Sequence, residues 1–149
     1  MAYKIKTKSG LEDFELEFTD RKVTEIIQFN PFDTDLPKRL FEAQKSIEEK
    51  TKEIKKFELD ENGIPNVDVC VDYLESINKI VYDAIDYAYG NKISDTVFKY
   101  CSPFAVIGGE YYIWRFMQQM AEVLEPIIGE TRKKANANLN KHIAKYMKK

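Results

Sequence analysis

Side chains able to do chemistry are few in this sequence, and their spacing does not assemble a reaction site. His142 is the only histidine. It sits in Asn140-Lys141-His142-Ile143 among cations that oppose a metal ion, so no metal site is expected there. Cys101 and Ser102 are adjacent nucleophile types, but a nucleophile needs a neighbouring base, and none is evident. Cys70 and Cys101 are the two cysteines, each on an apolar stretch, and they read as reduced core thiols. Asp68/Asp72 and Asp83/Asp86 share helical faces without an Asp-x-Asp-x-Asp-Gly calcium loop, which reads as a solvated acidic face. Gly108-Gly109 ahead of a helix offers amides to an anion. No Lys-Ser/Thr follows, however, and Glu110 repels phosphate, so the pair reads as a tight turn. The expectation is a non-enzymatic chain with no catalytic residues, metal or cofactor.

The informative segment is instead apolar. Cys101-Ser102-Pro103-Phe104-Ala105-Val106-Ile107-Gly108-Gly109 runs straight into Tyr111, Tyr112, Trp114 and Phe116. A loop this apolar is costly to leave wet and must pack under its own domain or against another molecule. Tyr111, Trp114 and Met117 fall on one helical face, and Tyr112, Phe116, Met120 and Val123 on another. Such a helix either packs between two layers of its own fold or offers a protein contact built from residue types enriched at interfaces. The candidate partner-binding residues are Phe104, Ile107, Tyr111, Tyr112, Trp114, Arg115 and Met117.

Charge is unevenly distributed over the 149 residues. Residues 131–149 hold Arg132, Lys133, Lys134, Lys141, Lys145, Lys148 and Lys149 and no acidic side chain, a charge of +7. The rest of the chain holds 16 basic against 25 acidic side chains, or −9. The basic tail, with Arg132, Lys133, Lys134, Lys141 and Lys145 as candidate contacts, either meets an acidic partner or frays in solvent. It could touch nucleic-acid phosphates, but the acidic body opposes that, and no reader motif is present. No apolar run approaches the roughly 20 residues of a membrane helix. The start of the chain lacks the apolar core of a secretory signal, so a cytoplasmic protein is expected.

These features need elements to position them. Alternation over residues 3–8 and 14–18 around Ser9-Gly10 predicts a hairpin, and Val23 to Phe29 predicts a third strand. Leu36, Leu40, Ile47 and Ile54, widened by Phe41, Ala43 and Phe57, predict a long amphipathic helix. Residues 60–66 read as a linker. A second helix follows and ends at Gly90-Asn91, then a short one from Ser94 to Cys101, then a fourth from Glu110 to Glu125. Pro126 and Gly129 should interrupt the fourth. The predicted class is α+β: a small N-terminal antiparallel sheet, a helical body of about four helices and a basic helical tail. We expect one domain over residues 1–130, β-rich over 1–30 and helical over 31–130, with residues 131–149 as the tail.

Taken in order, several of these stretches are familiar. They are Phe29-Asn30-Pro31-Phe32-Asp33 with Leu36-Pro37-Lys38-Arg39-Leu40, then Ser102-Pro103-Phe104 with its glycine loop, then Glu125-Pro126-Ile127-Ile128. Together they resemble the small tail assembly chaperones of long-tailed phages of Gram-positive bacteria, over about residues 23–130. The resemblance implies a chaperone that binds and solubilises the tape measure protein, helps recruit tail tube subunits in the host cytoplasm, and carries no catalytic residues. A weak homo-oligomer fits such a coating role. The alternative is a phage-encoded protein that binds and inhibits a host defence or replication factor, since the acidic body permits nucleic-acid mimicry.

Overall fold

The computed structural model describes residues 1–57 and 67–147, without the side chains of 54–57, 67–70, 142 and 145–147. The linker read over 60–66, Lys148 and Lys149, and the side chains of Cys70, His142 and Lys145 lie outside the described residues. The fold is α+β, a two-stranded antiparallel sheet followed by helices. By compactness the chain forms two units, Met1–Tyr112 and Ile113–Lys149.

In the first unit, β1 (Glu12–Phe18) pairs antiparallel with β2 (Val23–Phe29), from Glu12 opposite Phe29 to Phe18 opposite Val23. The turn between them closes with the Arg21 amide on the Phe18 carbonyl and places Lys22 at φ 55°. Alternation sorts the strand faces. Phe14, Leu16 and Phe18 are half-buried, while Asp13, Glu15 and Glu17 face solvent. Phe14 stacks on Phe29 at 4.3 Å, and Phe29 meets Tyr89 edge-on.

This corrects the expected three-stranded sheet. Residues 3–8 are exposed, form no regular element and have no strand partner among the described residues, and the hairpin forms one segment later. Gly10 does adopt φ 84°, and the Ser9 carbonyl accepts from Asn30 Nδ2 at the open end of the β1–β2 hairpin, but no strand pairing forms ahead of it.

Asp33 opens the helical part. Its Oδ1 accepts the Asp35 amide and its carbonyl the Leu36 amide, leading into α1 (Leu36–Phe57) with Pro37 in the tolerated first turn. α1 lies antiparallel to α2 (Val67–Tyr89), because its side-chain partners descend along α2: Arg39 with Ala88, Glu42 with Tyr87, Glu53 with Tyr73. Leu36, Ala43 and Ile47 bury one stripe of α1, and Ile77, Val81, Ile85 and Ala88 bury one of α2. Each large aliphatic side chain so buried contributes about 1.5–3 kcal/mol. Phe41, expected to widen the α1 stripe, is instead 68% exposed.

Gly90, at φ 67°, ends α2, and the Arg39 guanidinium caps the Ala88 carbonyl while pairing with Asp33 at 3.0 Å. The next helix, α3, is a single turn (Ser94–Val97) and not the longer one expected to reach Cys101. After the helical bond from the Phe98 amide to the Ser94 carbonyl, the Lys99 amide bonds the Thr96 carbonyl three residues back, a tighter turn that closes the helix.

The last helix, α4 (Tyr112–Met147), begins two residues later than expected and passes through Pro126 and Gly129 without ending. In the second unit Ile113, Phe116, Met120 and Leu124 form a buried stripe at spacings of three and four. From residue 132 onward every described side chain is exposed.

Candidate protein-binding surface

The apolar loop folds into a small protruding hairpin. β3 (Val106–Ile107) pairs antiparallel with β4 (Glu110–Tyr111), and Gly108 and Gly109 form the two-residue turn at φ 60° and 83°. Positive φ at both central positions is the requirement of the hairpin turn that matches strand twist, which explains the Gly-Gly pair. A Cβ on Gly109 would meet no atom within 4 Å, so the demand there is conformational and not steric. The base is closed by the Ala105 amide on the Ser102 carbonyl and the Tyr112 amide on the Ala105 carbonyl, at 2.8 Å for the latter.

The candidate residues separate by role. Tyr112 is core: it is 8% exposed, and its hydroxyl donates to the Val97 carbonyl at 2.7 Å. Burial pushes its phenol well above the ordinary tyrosine range. Phe104 and Tyr111 are half-buried and meet edge-on at 5.4 Å, bracing the base of the hairpin. Ile107 is exposed at 39%, and Val106, which sequence reasoning did not single out, is more exposed at 68%. In the second unit Trp114 and Met117 are half-buried and Arg115 is exposed. Arg132, Lys133, Lys134 and Lys141 are all exposed along α4. At about 100° per residue, Lys134 and Lys141 fall on one side of that helix, while Arg132 and Lys133 point elsewhere.

A polar cluster fixes the chain just before this hairpin. Glu25 on β2 accepts from Lys99 Nζ at 2.7 Å and from the Tyr100 hydroxyl at 2.9 Å. The Lys99 hydrogen bond, then that of Tyr100, holds the Glu25 carboxyl below its usual range. The Arg21 guanidinium lies over the Tyr100 ring at 4.9 Å. Because 74 residues separate Glu25 from Lys99, no local sequence pattern signals this pair. Burial raises the Cys101 thiol, which keeps it protonated and a poor nucleophile.

A shallow groove of about 300 Å³ between α1 and α2 is lined by Ala43, Ser46, Ile80 and Ala84 with Glu42, Asp83 and Tyr87. The Tyr87 hydroxyl donates to Glu42 at 2.8 Å. Among the described residues no group of three or more His, Cys, Asp or Glu side chains could hold a metal ion. No described helix is long and apolar enough to cross a membrane. No family model matches the chain, and no curated protein or solved structure matches it either.

Proposed function

We propose that this chain is a non-enzymatic binding protein, a tail assembly chaperone of a long-tailed phage. In that role it covers apolar surface on the tape measure protein in the host cytoplasm and helps bring tail tube subunits to it. The observation that carries the reading is the β3–β4 hairpin. Its tip presents Val106 and Ile107 to solvent on a turn that two positive-φ glycines hold in shape. Exposed aliphatic residues on a shaped protrusion favour contact with another apolar surface. The Phe104–Tyr111 pair braces it from below, so the contact is pre-organised and loses little entropy on binding. Ser102-Pro103-Phe104 at the base of the hairpin belongs to the residues that carry the chaperone resemblance.

The test is co-expression with a candidate tape measure fragment. Val106→Lys with Ile107→Lys alters exposed side chains only, so circular dichroism should report an unchanged fold. The wild-type chain is expected to keep the fragment in the soluble fraction, and the double variant to lose it to the pellet. A fragment held equally soluble by the folded double variant would sink the reading.

A further inference from the structure

The β1–β2 hairpin leaves the outer edge of β1 without a strand beside it among the described residues. Among the described residues β1 pairs with β2 alone, so its other edge presents backbone groups with no strand beside them. Such an edge accepts a further strand readily. Its two faces are distinct: half-buried Phe14, Leu16 and Phe18 on one, exposed Asp13, Glu15 and Glu17 on the other. A two-stranded hairpin is also the marginal case for a sheet, and a third strand strengthens it.

The same chain carries the reciprocal pattern. In Tyr3-Lys4-Ile5-Lys6-Thr7-Lys8 the lysines alternate with Tyr3 and Ile5, and Tyr3 and Ile5 are 91% and 88% exposed. This segment does not lie along its own β1 edge. The Asn30 side chain holds the Ser9 carbonyl at 3.0 Å, and a Cβ on Gly10 would stand 2.8 Å from Asn30 Nδ2. Asn30 directly follows β2 and Gly10 precedes β1, so this contact ties together the two chain ends at the open end of the hairpin, and residues 3–8 beyond it pair with no described strand.

We propose that residues 3–8 of one copy add as a third, antiparallel strand to the β1 edge of a second copy. Lys4, Lys6 and Lys8 then stand in line with Glu17, Glu15 and Asp13, and Tyr3 and Ile5 with Phe18 and Leu16. Register is enforced twice, because a one-residue slip would set lysines against the apolar face and Ile5 against the acidic one. Six extended residues span about 20 Å, most of the seven-residue length of β1. Donor and acceptor are different parts of the chain, so the contact either closes reciprocally in a pair or continues along a row of copies. It rests on the hairpin and not on the tape measure reading.

Sedimentation of the full chain over a range of concentrations tests it, with circular dichroism to confirm the fold. Wild type is expected to associate as concentration rises and to dissociate as salt is added. Reversing Lys4, Lys6 and Lys8 to Glu should weaken association on the order of tenfold. Mixing that variant with one carrying Asp13→Lys, Glu15→Lys and Glu17→Lys should restore it. Ile5→Pro should abolish association, since proline breaks a sheet ladder. Isotope-filtered NMR on mixed labelled and unlabelled copies should place Ile5 of one copy against Leu16 of another.

A wild-type chain that stays monomeric, an association indifferent to charge reversal and to Ile5→Pro, or an Ile5–Leu16 contact within one copy would each overturn the proposal. The Val106→Lys, Ile107→Lys variant should still self-associate, so the two readings fail separately.

Discussion

At Asp86 a single carboxylate organises the chain reversal between α2 and α3. Its Oδ1 accepts the Ile93 and Ser94 amides at 2.8 Å, and its Oδ2 accepts the Ser94 hydroxyl at 2.9 Å. Ser94 is 4% exposed, so removing its partner leaves buried donors unsatisfied. Asp86→Ala should lower stability by about 2 kcal/mol in urea unfolding. Asp86→Asn, which keeps one acceptor oxygen, should lower it less. Glu25 and Lys99 make a pH-dependent pair. The carboxyl of Glu25 is lowered from 4.5, so its contribution is present above that value and lost as pH falls through the depressed one. The ammonium of Lys99 is raised from 10.5, chiefly by Glu25, so its contribution holds below that value and fades as pH rises through the elevated one. Unfolding curves of Glu25→Gln should therefore show a flatter stability profile at both extremes than wild type. Unchanged slopes would mean that solvent screens the pair to nothing.

At the scale of elements, local backbone demands and long-range packing divide the fold between what was legible and what was not. The α1 and α2 stripes were readable because Leu36, Ala43 and Ile47, and Ile77, Val81 and Ile85, recur at helical spacing and bury one face each. The Gly108-Gly109 turn was readable because few other residues accept positive φ twice in succession. Residues 3–8 misled because alternation marks strand capacity, while pairing depends on a partner edge that local sequence does not specify. The core role of Tyr112 and the Glu25–Lys99 pair were hidden because their partners are distant in sequence: Val97 for Tyr112, and a strand residue paired with a lysine beyond α3. Pro126 lies within α4, where it removes one backbone donor, and both it and Gly129 are exposed. Gly129→Ala meets no neighbour within 4 Å and should raise stability by about 0.5–1 kcal/mol, read as a higher unfolding midpoint. Gly109→Ala is equally unobstructed, but its φ of 83° makes it the opposite case. It should cost about 1–2 kcal/mol and loosen the hairpin, seen as faster amide exchange at Tyr111 and Tyr112.

For the molecule as a whole, charge is segregated: +7 over residues 131–149 against −9 elsewhere. Arg132, Lys133, Lys134 and Lys141 stand exposed on α4 and attract polyanions, while the acidic remainder repels them. Duplex DNA should therefore be retained only at low salt and released by about 150 mM, with reversal of those four residues to Glu removing even the weak retention. DNA binding that survives physiological salt would point to a sequence-reading role instead. Trp114, the one tryptophan in the chain, is half-buried two residues beyond the division between the compact units. Its indole is thus a built-in optical probe: emission wavelength and iodide quenching will register any molecule that settles over the start of α4, with no dye attached.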